Sequence, residues 1–197
     1  MPRVSQMHLD RRRRQILDAA GRCFAAEGFH ATSMQDVLAA SELSAGAVYR
    51  YFPSKQAIIE AIADETLTHI HTVLTEALNR TEPPRPTDVL GDLLTAMAGL
   101  DDAKLRIRIV IQVWGEAIRN PEVRDVIMTR MTEVYDVLTQ VVIRAQKAGL
   151  MNPSVPPRIA AETYIGVLPG LMVQKAIFGD AFDLPAHVSA LRTLFGS

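Results

Sequence analysis

Apolar residues recur along this chain at intervals of three and four. Ile16, Ala20 and Phe24 stand at i, i+4 and i+8, with Arg12, Asp18 and Arg22 on other faces. That spacing predicts an amphipathic helix of about four turns, and Gly28 follows where a C-terminal cap belongs. Thr32 opens a second helix, with Gln35 three residues on completing a capping-box pattern and Met34, Val37 and Leu38 forming the apolar side. Ser44 caps a short third helix that carries Val48 and Phe52 inward. Pro53 ends it, because the residue before proline disfavours helix. Ser54 caps a fourth, running through Ile58, Ile62, Ile70 and Val73 toward Leu78. Residues 81–87 hold three prolines in a polar setting and mark a boundary or hinge. Five more helices are expected over 88–100, 102–119, 121–148, 157–178 and 185–195, with Pro121 and Pro157 in first turns and Gly149 and Gly179 as caps. No stretch alternates with period two convincingly. The expected fold is therefore all-α, with about nine helices.

Composition narrows this picture. The 197 residues are enough for one large domain or two small ones. With a net charge of −1 there is no global basic excess, so any binding of nucleic acid must be local. Cys23 is the only cysteine, which excludes an intramolecular disulfide and fits a reducing compartment. No apolar stretch follows the N-terminal arginines as in a signal peptide. The longest uncharged apolar run, near 164–173, falls short of the roughly 20 residues that a membrane span needs. A cytoplasmic protein without a membrane partner is expected. Nothing nominates an enzyme: there is no glycine-rich phosphate loop, nucleophile elbow or zinc-binding histidine pair. His69 and His71 lie two apart on a helix and point different ways, and His8, His30 and His187 are isolated. No cofactor and no metal site are expected.

The local basic and aromatic signal lies in the third helix and its flanks. Two short helices joined by a tight turn, with a third as support, are the helix-turn-helix arrangement, whose second helix enters the major groove. Ala45, Gly46 and Ala47 are small enough for close approach to base edges. Tyr49, Arg50, Tyr51 and Lys55 add groups that bond phosphate. Residues 14–64, and most specifically LSAGAVYRYFPSK over 43–55, resemble the N-terminal domain of the TetR/AcrR family. The resemblance implies that the helix from Ser44 to Phe52 is the recognition helix. It also implies that Thr32, Ser33, Tyr49 and Lys55 contact phosphate, and that Ala45, Gly46, Ala47 and Arg50 face bases or their flanks. Glu42 departs from the family's usual turn glycine, and where positive φ is needed it costs on the order of 1 kcal/mol. The run Arg11–Arg14, with Arg3 further out, suits an arm reaching phosphate or the minor groove. A DNA-binding unit of residues 1–55 and a ligand-binding and dimerisation unit of residues 56–197 are expected, with residues 54–78 as the connecting helix.

The later helices are apolar over wide faces, which core packing alone explains for any one residue. As a set, Met97, Ile111, Trp114, Glu116, Met128, Met131, Tyr135, Tyr164 and Met172 are the candidates for lining a ligand pocket between helices. Glu116 and Glu162 are the carboxylates that would favour a cationic ligand. Gly166, Pro169 and Gly170 interrupt an apolar helix and permit close helix approach, and proline should bend it. Leu168, Leu171, Leu191, Leu194 and Phe195 are the candidate interface of a homodimer, formed as related regulators form it by pairing their last two helices. The functional expectation is a repressor bound to an inverted-repeat operator in double-stranded DNA and released by a small apolar or cationic effector. The alternative is a regulator of the same fold without a small-molecule inducer, controlled by a protein partner or by abundance.

Overall fold

The computed structural model describes residues 6–98 and 103–195. Among these the chain is helical throughout: α1 (Gln6–Glu27), α2 (Met34–Ser41), α3 (Ala45–Tyr51), α4 (Lys55–Leu78), α5 (Pro86–Ala98), α6 (Ala103–Arg119), α7 (Pro121–Lys147), α8 (Pro157–Phe178) and α9 (Leu184–Phe195), with a short 3-10 turn over Gly179–Ala181. The expected positions 99–102 between α5 and α6, and Arg3, lie outside the described residues. Residues 86 and 87, read as hinge, belong instead to α5, because a proline is at home in a first turn.

Capping decides most boundaries. Ser44 accepts from the Ala47 amide and Ser54 from the Ala57 amide, as their positions before apolar runs predict. Asn120 caps α7 by accepting from Glu122 and Val123 ahead of Pro121. The cap of α2 is displaced by one residue from expectation. Ser33 accepts from the Asp36 amide, and the Asp36 carboxylate accepts the Ser33 N–H at 2.7 Å. Thr32 instead sits buried, with its hydroxyl donating to the Gly28 carbonyl at 2.9 Å. Asp36 beats Gln35 because its short carboxylate reaches the cap N–H directly.

One apolar core runs through the molecule. Ile16, Phe24, Val37 and Val48 close the head formed by α1–α3. Ile58 and Ile59 carry the core into α4, and Leu74, Val134, Leu138 and Ala161 continue it between α4, α7 and α8. Each such side chain contributes about 1.5–3 kcal/mol on full burial. α8 continues through Pro169 without a break. The proline-rich link is tied down: the Arg144 guanidinium donates to the carbonyls of Leu78, Arg80 and Thr81, and Arg80 pairs with Asp92 at 2.6 Å. A cation on the last carbonyls of α4 also suits the helix dipole.

Candidate nucleic-acid interface and effector cavity

The turn between α2 and α3 has the left-handed backbone that its sequence position implied. Glu42 has φ +56 and ψ +29, and it is the only non-glycine residue with positive φ among those described. The turn sets α3 across α2 with its outer face open. Ser44, Ala45, Gly46, Tyr49 and Arg50 are exposed and Ala47 is half-buried, while Val48 is fully buried and anchors the helix. A Cβ built on Gly46 meets nothing within 4 Å, so no contact inside the protein requires glycine there. α3 is thus held rigidly from beneath and presents small residues flanked by a phenol and a guanidinium.

Other expected contacts are placed differently. Thr32 is buried and its hydroxyl is spent on Gly28, so it does not face phosphate. Ser33 is exposed, but its own N–H and hydroxyl are bonded to Asp36, whose carboxylate already occupies the anion position of the helix start. Those two bonds to Ser33 hold the Asp36 carboxyl below its ordinary range. Tyr51 packs half-buried against the core. Lys55 points its ammonium at the carbonyls of Phe29 (2.6 Å), Thr32 (2.7 Å) and His30 (3.4 Å), over the Phe29 ring. Such a cation clamps the loop between α1 and α2 to the start of α4. Of the arginine run, Arg13 and Arg14 both pair with Glu65 of α4 and Arg12 donates to Gln15, while Arg11 is exposed and contacts His8.

A second feature lies among α4, α6, α7 and α8. Ala63, Thr66, Leu67 and Ile70 of α4, Val110, Val113 and Trp114 of α6, Ile127, Met131 and Val134 of α7, and Ile165, Leu168, Pro169 and Met172 of α8 surround about 620 Å³ of space, part of it open to solvent. Trp114, 37% exposed, stands partly in water. Of the expected lining residues whose side chains are described, Trp114, Met131 and Met172 are there and the others are not. Tyr164 is buried in the core. Tyr135 lies half-buried beneath Arg158 on α7, and burial raises its hydroxyl's pKa. Met128 points outward and is 60% exposed. Ile111 and Glu116 face a separate polar cleft toward the head, with His30, Gln112 and Arg119. The Met97 side chain lies outside the described residues. Glu162 pairs with Arg158 at 2.8 Å on the surface, so neither expected carboxylate enters the cavity. The α4 wall went unread because α4 was taken as a connector. Its signal was present: positions 63, 66, 67 and 70 form an i, i+3, i+4, i+7 stripe.

The expected interface residues do not share one exposed face. Leu168 and Leu171 are buried within the chain, and Leu191 is half-buried against its core. Leu194 is 75% exposed, and the side chain of Phe195 lies outside the described residues. The open face of α8 is instead Ile159, Thr163, Gly166, Gly170, Val173 and Ile177, one helical stripe whose glycines meet nothing within 4 Å.

A supported recognition helix with an open face, on an all-helical body enclosing an apolar cavity, defines a helix-turn-helix DNA-binding regulator. Residues 16–62 match the family model described as bacterial regulatory proteins of the tetR family, and residues 86–195 match that of the BetI-type transcriptional repressor C-terminal region. The chain belongs to the TetR family of bacterial transcriptional regulators, and it is a DNA-binding regulator, not an enzyme. It is 30% identical over 187 residues to the HTH-type transcriptional repressor Rv1474c of Mycobacterium tuberculosis, covering 94% of each chain. It is 24% identical to the HTH-type nicotine-responsive transcriptional repressor HdnoR of Paenarthrobacter nicotinovorans, covering 89% of this chain and 88% of that one. Among solved structures it superposes on Salmonella enterica GusR with a TM-score of 0.76 at 27% identity, covering 98% and 99% of the two chains. No described helix is long and apolar enough to cross a membrane.

Proposed function

We propose that the protein is a repressor that binds an inverted-repeat operator as a homodimer and is released by a small apolar molecule. The functional division we assign is a reading unit of residues 1–55 and an effector unit of residues 56–197, joined by α4. Ser44, Ala45, Gly46, Ala47, Tyr49 and Arg50 meet the DNA, with Arg11 reaching the flanking backbone. Lys55 serves mainly by fixing the loop that carries Thr32 and Ser33.

The observation that carries the effector reading is the position of the cavity. Its walls include α4 and α6, and these two helices also hold the head. α4 does so through Glu65 and Lys55, and α6 through Ile109, packed on Gly21, and Gln112, facing Phe29. A molecule wedged between α4, α6 and α8 pushes on the head's supports. Among the described residues the lining offers no acidic side chain, so it suits an apolar compound better than a cation. A response to a small molecule accords with the nicotine-responsive name of one relative.

The dimer face follows the exposed stripe of α8 together with Leu194, where glycines admit a second helix closely.

A thermal-shift series with medium- and long-chain alkyl compounds, each matched to a quaternary-ammonium analogue, tests the ligand class. Binding raises stability by RT ln(1 + [L]/Kd). The neutral alkyl series should stabilise and the cationic series should not. Stabilisation by the cations alone would reverse the assignment, and stabilisation by neither would point to control by a protein partner or by abundance.

A further inference from the structure

One turn of α4 faces the cavity, the helical body and the reading head at once. Ala63, Thr66 and Leu67 wall the cavity. Between them Asp64 and Glu65 are consecutive carboxylates, so they leave the helix about 100° apart and meet different neighbours. Asp64 accepts from Arg130 of α7 at 2.5 Å, and that guanidinium also meets Glu133 at 3.1 Å. Glu65 meets the head. It pairs with Arg13 of α1, and with Arg14 at 3.5 Å. The Arg13 guanidinium lies over the Phe52 ring, 5.5 Å from its centroid, and Phe52 is the residue that closes α3. Arg13 thereby joins α1 to the end of the recognition helix and to α4.

The head has a second tie to α4. Lys55, the first residue of that helix, holds the loop between α1 and α2 by its carbonyls. Glu65 stands ten residues further on, roughly 15 Å along the axis. One tie leaves a pivot, whereas two separated along the axis fix an angle. The burial of Ile58, Ile59 and Ile62 between them is non-directional and supplies attachment more than angle. Arg13 and Glu65 are 38% and 30% exposed, and ion pairs so exposed add little to stability. Their effect is on direction, because a planar guanidinium held between a carboxylate and a ring has a defined orientation.

We propose that Glu65, acting through Arg13 and Phe52, is a positioning residue that sets the angle of the reading head on α4. It thereby sets the half-site spacing that the protein accepts, an assignment that rests on reading the protein as a dimer on an inverted repeat. In such a dimer each recognition helix enters the major groove at a fixed separation from its mate. A head free to swing about Lys55 meets half-sites over a range of separations. The bases read within each half-site stay the same, because the outer face of α3 is untouched.

Wild type, Glu65→Gln and the double variant Arg13→Gln with Arg14→Gln, all full length, are titrated on duplexes carrying the half-sites that wild type selects from a random pool. The spacer is lengthened or shortened by about one or two base pairs, and half-site bases are changed in a parallel set. Wild type should lose about tenfold or more in affinity when the spacer changes. Both variants should narrow that loss to about threefold or less, keeping the half-site base preference and a melting temperature near that of wild type. Arginines freed from Glu65 that reach phosphate strengthen every duplex alike, so the ratio between spacers does not register them. The two variants break one tie from opposite sides, so either that folds is sufficient. A full spacing loss retained in a folded variant would overturn the assignment, and so would loss of the fold in both, which would make the tie structural. Indifference of wild type to spacing would instead overturn the two-fold reading, and the assignment with it.

Discussion

Glu42 is the residue at which local conformation and function meet most plainly. Its left-handed backbone is one that side chains with a Cβ adopt at a cost, and its charge stands at the turn leading into the recognition helix. Glu42→Gly should therefore raise unfolding stability by about 1 kcal/mol and strengthen binding to duplexes of any sequence. Urea denaturation and a filter-binding titration measure the two effects, and a loss of stability would show that the turn is not strained. Asp36 carries a pH dependence of known sign. Its carboxyl is held below its ordinary value by its bonds to Ser33, so the stability it adds is present above the unfolded pKa and is lost as pH falls through the folded one. Asp36→Asn should flatten the acid limb of the melting-temperature profile, an outcome read by calorimetry between about pH 5 and 2. Cys23 is half-buried, and burial raises its thiol above the ordinary range. Ser44, Ser54 and Glu42 were legible as individuals because capping and turn geometry are local. Thr32 and Lys55 were not. What they bond depends on a loop folded back across α4, and residue type alone offers phosphate and carbonyl as equal partners.

Among the elements, periodicity and caps delivered most helices to within about two residues, including the starts of α3, α4 and α7. α1 instead runs for 22 residues against the four turns expected, because its polar, arginine-rich N-terminal half carries little apolar periodicity. Which face of each helix meets which neighbour was less accessible, because most α7 and α8 positions are apolar on more than one side. Trp114, Met131 and Met172 were singled out by size and landed in the cavity. Tyr164 and Met128 satisfied the same criterion and point to the core and to water. The cavity's position gives a direct substitution test. Ala63 lines it from α4 and is almost fully buried. Ala63→Phe should fill the space and abolish stabilisation by the alkyl series, at an overpacking cost of about 1–3 kcal/mol, while DNA binding persists. A filled variant that still responds to the alkyl compounds would place the effector elsewhere in the helical body.

Across the whole molecule, the features that sequence could not supply are those formed by distant positions. His30 and Arg119 are 89 residues apart, and His30 was read as isolated, yet the two share one cleft. The dimer face was sought among the leucines of the last two helices and Phe195, beside Gly166 and Gly170 as points of close helix approach. The chain buries Leu168 and Leu171 in its own core, which leaves Leu194 and the glycine-bearing stripe of α8 outside. Val173→Glu with Leu194→Glu should therefore dissociate the dimer in sedimentation, since an unpaired charge in an interface costs several kcal/mol. Leu168→Glu should instead unfold the monomer, and a stably folded Leu168→Glu monomer would return that residue to the interface. The central claim, that α3 reads DNA as one half of a two-fold pair, is tested most directly by selecting duplexes from a random pool with the full-length protein. The selected sites are then titrated over a range of salt with wild type and Arg50→Ala. The account predicts an enriched inverted repeat, affinity that falls steeply with salt, and a changed preference within each half-site for Arg50→Ala. Enrichment of no sequence, or a half-site preference unaltered by Arg50→Ala, Gly46→Leu and Tyr49→Phe alike, would contradict it.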